Sequence, residues 1–107
     1  MDALEKHLYI NTLLHLYGPL LTNKQQSVMQ YYYLDNYTLA EIADILSVSR
    51  NAVYDQLQHA VEKLKDFETK LKLNEKQNKR QQLLKRLESY SNDETILNIV
   101  AKIKDVE

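Results

Sequence analysis

Six neighbouring residues have side chains suited to contacting a nucleic acid: Ser49, Arg50, Asn51, Tyr54, Asp55 and Gln58. In an α-helix, residues three or four positions apart lie on the same side. A helix that starts near residue 50 would therefore expose the last five of these residues together at its N-terminal end. Helices that enter the major groove of DNA read base edges from such positions. The pattern predicts a base-reading surface.

A helix-turn-helix is predicted from residues 38 to 64. Thr38 and Glu41 form a capping box, so a short helix should begin at Leu39. Its buried face would be Leu39, Ile42, Ala43 and Leu46, where the small Ala43 allows a second helix to approach closely. Ser49 should cap that second helix after the Ser47-Val48 turn. The buried stripe of the second helix would be Val53, Leu57, Val61 and Leu64.

Two helices are predicted before this motif. The first has a broad apolar face and should stop at Gly18-Pro19; its apolar residues are Leu4, Leu8, Ile10, Leu13, Leu14 and Tyr17. Thr22 and Gln25 form another capping box, which opens a helix that runs to Leu34 and is broken by Asp35-Asn36. This second helix would run through Val28, Met29 and Tyr32.

Two further helices are predicted after the motif, from weaker signals, because neither Gly nor Pro occurs from Asn51 to Glu107. Asn74 should cap a helix with the apolar residues Leu83, Leu84, Leu87 and Tyr90. Ser91 with Glu94 should cap the last helix, which carries Ile96, Ile99, Val100 and Ile103.

Composition favours an all-α protein of five to six helices. The 107 residues include one Gly and one Pro, and good helix formers dominate the rest. We expect a single helical domain over residues 1–107, with a helix-turn-helix core at 18–72 and a C-terminal helical extension at 73–107. The absence of Cys is usual for cytoplasmic proteins. The N-terminal sequence predicts neither a signal peptide nor a membrane span.

Charge is distributed unevenly along the chain. Residues 1–69 carry five basic and nine acidic side chains, a net charge of −4, whereas residues 70–87 carry seven basic and one acidic, a net charge of +6. These seven residues form the basic stretch: Lys70, Lys72, Lys76, Lys79, Arg80, Lys85 and Arg86. The basic stretch is either a solvated helix face or a surface for phosphates or an acidic partner. Because Arg50 is the one cation near the predicted base-reading surface, intrinsic DNA affinity should be low.

Other candidate sites have simpler interpretations. Consecutive residues Tyr31, Tyr32 and Tyr33 could stack on bases, but one or two of them should be buried and the rest exposed or in a subunit contact. The residues His7, His15 and His59 are isolated and match no zinc-binding pattern. The sequence contains no Gly-rich phosphate loop and no nucleophile-base arrangement. We therefore predict no catalytic residues, no metal site and no cofactor.

The segments LTNKQ, YYYLDNYTLAEIA and VSRNAVYDQL follow one another in the order and spacing of a known family. Residues 21–64 resemble the C-terminal promoter-reading domain of bacterial sigma factors, and the whole chain resembles the small bacterial YlxM family. The resemblance implies a DNA-binding regulator linked by gene neighbourhood to the signal recognition particle GTPases. The chain departs from the sigma pattern at Ala52, Tyr54 and Asp55, where Arg, Arg and Gln are common.

These observations together predict a DNA-binding protein without enzymatic activity. Arg50 and Asn51 would face base edges or phosphates, while Lys24, Lys63 and Lys65 would contact the DNA backbone. We expect a homodimer, because such motifs act on paired half-sites and because the first and last helices are more apolar than one small core requires. The alternative is a protein adaptor that uses the helix-turn-helix as a protein surface and the basic stretch for an acidic partner or the signal recognition particle RNA. Neither prediction involves a small-molecule substrate or membrane insertion.

Overall fold

The computed structural model describes residues 2–106, and these residues form six α-helices and no strand. The helices are α1 (Ala3–Tyr17), α2 (Asn23–Met29), α3 (Leu39–Leu46), α4 (Arg50–Leu71), α5 (Leu73–Ser89) and α6 (Glu94–Val106). A 3₁₀ turn, Gly18–Leu20, follows α1, and a π-helical turn, Gln30–Leu34, follows α2. The predicted all-α class with five to six helices is confirmed.

The chain divides into two compact units, Met1–Leu71 and Lys72–Glu107. The first unit contains α1 to α4 and the second contains α5 and α6. Lys72 stands between α4 and α5 in the left-handed conformation, with φ of 57°. That conformation ends α4, because L-residues cannot continue a right-handed helix through it. The assignment of all 107 residues to one domain stays a prediction.

The starts of α2, α3 and α4 agree with the predicted capping residues. In α2 the Gln25 amide donates to Thr22 Oγ1 at 3.2 Å, and the Thr22 amide donates to Gln25 Oε1 at 3.1 Å. Thr38 and Glu41 make the same reciprocal pair at the start of α3, with both distances 3.1 Å. The Ala52 amide donates to Ser49 Oγ at 3.0 Å at the start of α4. Each bond satisfies an amide that has no partner within its helix.

The predicted caps of α5 and α6 were wrong. Asn74 lies inside α5, because the left-handed Lys72 caps the helix two residues before the predicted cap and α5 begins at Leu73. The cap of α6 is Asp93 and not Ser91, since the Thr95 amide donates to Asp93 Oδ1 at 2.8 Å. Ser91 Oγ instead accepts from the Asp93 amide at 3.2 Å and shapes the preceding turn.

The core of the first unit is formed where α1, α2 and α3 pack against α4. It contains twelve buried residues: Ile10, Leu13, Tyr17, Leu21, Val28, Met29, Ile42, Ala43, Val53, Leu57, Ala60 and Leu64. Val61, predicted as core, is half-buried, and the predicted stripe of α4 omitted the fully buried Ala60. The Tyr17 hydroxyl donates to Glu68 Oε1 at 2.6 Å, which ties the end of α1 to α4.

The π-helical turn changes the positions of the three consecutive tyrosines. The Asp35 amide donates to the Gln30 carbonyl at 2.9 Å, so the hydrogen bond spans five residues. Because a π-turn holds more residues than an α-turn, consecutive side chains diverge less. Tyr31, Tyr32 and Tyr33 are all half-buried, and the expectation that one or two of them would be buried and the rest exposed was wrong.

The second unit pairs α5 with α6. Leu84 and Val100 are its buried side chains, and Lys104 Nζ donates to Glu88 Oε1 at 2.5 Å between the two helices. Other apolar residues of these helices remain exposed: Leu83, Leu87, Ile96, Ile99 and Ile103. Tyr90, predicted on the apolar side of α5, lies just past its end and is also exposed.

Candidate nucleic-acid interface

The turn between α3 and α4 sets the position of the candidate base-reading surface. Ser47 adopts the left-handed conformation, with φ of 56°, and the Val48 amide donates to the Ala43 carbonyl at 3.1 Å. These contacts close the end of α3. Ser49 then caps α4, so Arg50 is the first residue of that helix. A short helix, a tight turn and a longer second helix are the parts of a helix-turn-helix.

All six residues of the predicted base-reading surface are exposed. Ser49 caps α4, and the other five lie on its first three turns, outside the buried stripe of Val53, Leu57, Ala60 and Leu64. We call the five α4 residues the reader face: Arg50, Asn51, Tyr54, Asp55 and Gln58. Within the reader face, Gln58 Nε2 donates to the Tyr54 hydroxyl at 2.6 Å. The reader face therefore offers hydrogen-bond donors and acceptors to a ligand, together with the positive charge of Arg50.

The three predicted backbone-contacting lysines are exposed but lie in different places. Lys65 lines the same hollow as Tyr54 and Gln58, so it extends the reader face along α4. Lys63 instead lines a separate hollow that includes Gln25. Lys24 lies on α2, one residue before Gln25. The structure thus brings Lys65 together with the reader face and places Lys63 on another side of α4.

The basic stretch is divided between the two units. Lys70 lies in the last turn of α4 and pairs with Asp66 at 2.9 Å, Lys72 lies between α4 and α5, and the other five residues lie on α5. All seven side chains are exposed. Lys79 pairs with Glu75 at 3.1 Å, and the hydrogen bond and charge of Lys79 lower the pKa of the Glu75 carboxyl. Lys70 and Lys79 therefore each have a carboxylate partner.

The cations of α5 do not all point in one direction. Lys79 and Arg86 are seven residues apart and share a side, since seven residues complete about two helical turns. Lys85 precedes Arg86 by one residue, about 100° around the helix, and lines a hollow with Gln81, Glu88 and Lys104. A phosphate backbone could therefore contact Lys79 and Arg86 at the same time, whereas Lys85 lies on a different side of the helix.

A hollow of about 190 Å³ adjoins the reader face. Side chains from α1, the π-helical turn, α3 and α4 line it: Lys6, Tyr32, Tyr33, Leu39, Tyr54, Leu57, Gln58, Val61 and Lys65. We call it the tyrosine hollow. Sequence reasoning missed it and missed Lys6, because the residues that form it are up to 59 positions apart and no local spacing relates them.

Within residues 2–106, no group of three or more His, Cys, Asp or Glu residues is placed to hold a metal ion. His7 is half-buried, and its Nε2 donates to the Tyr33 carbonyl at 3.0 Å. His15 and His59 are exposed. None of the described helices combines the length and apolar character that crossing a membrane requires.

A capped scaffold helix, a left-handed turn and a long second helix with an exposed polar face define this chain as a helix-turn-helix protein. The chain belongs to the UPF0122 family, described as "Putative helix-turn-helix protein, YlxM / p13 like", whose model matches residues 4–105. The resemblance to YlxM proteins is confirmed. The family description names no enzyme class.

Curated relatives match almost the whole chain. A UPF0122 protein of Anoxybacillus flavithermus is 43% identical over 109 residues, which cover 97% of this chain and 99% of the relative. The UPF0122 protein YofM of Lactococcus lactis is 38% identical over 105 residues, covering 97% and 95%. A UPF0122 protein of Geobacillus kaustophilus is 45% identical over 87 residues, covering 81% and 79%.

Proposed function

We propose that this protein is a sequence-specific DNA-binding regulator that acts in the cytoplasm and has no catalytic role. The observation that carries the proposal is the reader face, five exposed polar residues on the first three turns of the second helix of the motif. In helix-turn-helix proteins that helix lies in the major groove and its N-terminal residues contact base edges. Membership in a helix-turn-helix family supports the same function.

In the proposed complex, Arg50 and Asn51 contact base edges or the adjacent phosphates. Tyr54 and Gln58 lie one and two turns further along α4 and would contact the flanking bases or sugars. Lys65 would fix the DNA backbone, with Lys24 and Lys63 reaching phosphates from other sides of the unit. A carboxylate, Asp55, also lies on the reader face and repels phosphate, so a single copy should bind weakly.

Arg50→Ala tests the reader face. If Arg50 contacts a base or a phosphate, the substitution should weaken binding to a selected DNA duplex by about 1–3 kcal/mol. The exposed Arg50 side chain has no part in the core, so the circular dichroism spectrum should not change. Fluorescence anisotropy at constant salt provides the measurement.

Lys102→Ala is the matched control, since it removes one exposed cation from α6, which is not part of the helix-turn-helix. Binding by Arg50→Ala that equals binding by this control would contradict base reading by the reader face.

The second candidate function is that of a protein adaptor linked to the signal recognition particle. The supporting observation is charge: the first 69 residues carry −4, whereas residues 70–87, which contain the basic stretch, carry +6. The acidic part would favour a basic protein surface, and the basic stretch would favour RNA or an acidic protein. The family resemblance in the sequence suggests the particle as the partner.

Direct binding experiments separate these two functions. Purified signal recognition particle RNA and its protein component are each titrated against the chain, beside the selected DNA duplex, at the same salt concentration. Tighter binding to either component than to the duplex, unchanged by Arg50→Ala, would favour the adaptor. Tighter binding to the duplex that depends on Arg50 would favour the regulator.

A further inference from the structure

We propose that the tyrosine hollow binds a small aromatic acid, a single planar ring that carries one carboxylate or phosphate group. Its volume of about 190 Å³ matches a ligand of this size. Pockets for drug-sized ligands measure roughly 300–1,000 Å³, whereas a cavity of about 150 Å³ holds benzene. One ring and one small substituent therefore fill the space.

The lining of the hollow matches an aromatic body. Tyr32 and Tyr33 both border it, because the π-helical turn reduces the angle between consecutive side chains. Their rings meet edge to face, with centroids 5.0 Å apart. Leu39, Leu57 and Val61 add aliphatic surface from α3 and α4. A planar ring placed here can stack on one tyrosine and meet the edge of another.

The charge of the lining selects an anion. Lys6 from α1 and Lys65 from α4 both border the hollow, and no Asp or Glu residue is among those that line it. Two ammonium groups without a lining carboxylate favour one acidic group on the ligand. Burial raises the pKa of the Tyr33 hydroxyl, so it remains a protonated hydrogen-bond donor near neutral pH.

The hollow is connected to the reader face through Tyr54 and Gln58, which belong to both and are joined by a hydrogen bond of 2.6 Å. A ligand that displaces either side chain would change how the reader face contacts DNA. This regulatory consequence rests on the proposed DNA-binding function. Binding of the aromatic acid itself does not depend on the proposed DNA-binding function.

Isothermal titration calorimetry without DNA tests the site, with benzoate as the probe. Benzamide has the same shape without the charge, and acetate has the charge without the ring. We expect benzoate to bind at least tenfold more tightly than either compound, since only benzoate uses both the tyrosines and the lysines. Equal affinity for benzoate and benzamide, or no detectable benzoate binding, would overturn the proposal.

Substitutions then locate the site. Lys6→Gln and Lys65→Gln should each weaken benzoate binding at least threefold, whereas Lys102→Gln, the control at an exposed lysine outside the hollow, should not. Val61→Phe should block binding by filling the hollow, and its thermal melting curve checks that the fold is retained. Benzoate binding that withstands both lysine substitutions would place the ligand elsewhere and refute the assignment.

The alternative occupant is a phosphate of bound DNA. In that case Lys6→Gln weakens DNA binding and lowers its salt dependence, but the chain does not bind benzoate. That result would overturn the aromatic-acid site and leave the proposed DNA-binding function intact. If the chain binds benzoate but no DNA duplex, the proposed DNA-binding function is overturned and the aromatic-acid site stands.

Discussion

Tyr17 shows how one residue connects two distant segments of this chain. Its ring is fully buried and lies near Phe67, with centroids 5.8 Å apart. Its hydroxyl donates to the carboxylate of Glu68, 51 residues away. A hydrogen bond to a charged acceptor is stronger than one between neutral groups, and losing the donor leaves a partly buried carboxylate less well solvated.

We predict that Tyr17→Phe lowers the free energy of unfolding by about 1–3 kcal/mol, because it removes this hydrogen bond and retains the ring. Urea denaturation followed by circular dichroism measures the change. Tyr37→Phe is the control, since Tyr37 stacks on Tyr31 at 5.6 Å and is partly exposed, and should change stability by less than about 0.5 kcal/mol. Equal losses in the two variants would show that the bond to Glu68 contributes nothing.

Among the elements, those fixed by local chemistry were predicted most accurately. The capping boxes at Thr22 and Thr38 depend on residues three positions apart, so the sequence contains all the information. The start of α5 depends on the left-handed Lys72, a conformation that Lys seldom adopts and that no sequence signal indicated. The tyrosine hollow depends on long-range packing of four elements, which spacing along the chain cannot reveal. The exposure of the reader face was predictable because the apolar stripe of α4 fixes which side is buried.

A further prediction concerns α5 and its contribution to nucleic-acid affinity without sequence preference. Changing Lys79, Arg80, Lys85 and Arg86 to Gln should lower the slope of log affinity against log salt by about two, since each phosphate contact on duplex DNA contributes roughly 0.9. We expect fewer than four contacts, because Lys79 and Arg86 share one side of the helix whereas Lys85 lies on another. Gln is a good helix former, so α5 should be retained.

The charge-preserving control for this variant changes Lys79 and Lys85 to Arg. It should keep the salt slope of the parent chain, measured by fluorescence anisotropy on a random duplex. An unchanged slope in the four-residue variant would identify the basic stretch as a solvated helix face.

For the whole molecule, exposed apolar side chains on α5 and α6 favour a homodimer. Ile96, Ile99 and Ile103 lie on α6, and Ile99 is 52% exposed. Burying a large aliphatic side chain gains about 1.5–3 kcal/mol, so a second copy that covers this surface would be stabilised. A dimer would also present two reader faces to paired half-sites.

We predict that light scattering at micromolar concentration gives twice the 12.6 kDa mass of one chain. Ile99→Lys should weaken association at least tenfold, because it places a charge on the apolar surface of α6. Leu20→Lys, at an exposed apolar residue of the 3₁₀ turn, is the matched control and should leave the mass unchanged. A parent chain with the mass of a single copy would rule out the homodimer.

The π-helical turn has a consequence for changes in chain length. Its wide hydrogen bond from Asp35 to Gln30 accommodates one residue more than an α-helix would. Deleting a single residue within Gln30–Leu34 could therefore be absorbed by reversion to α-helical hydrogen bonding, with α3 and α4 still joined to α2. The tyrosines would then diverge by the ordinary helical angle of about 100°, and the directions of the Tyr32 and Tyr33 rings beside the hollow would change. A one-residue gap in this segment of a relative would thus mark a protein that kept the fold and rearranged the aromatic wall beside its reader face.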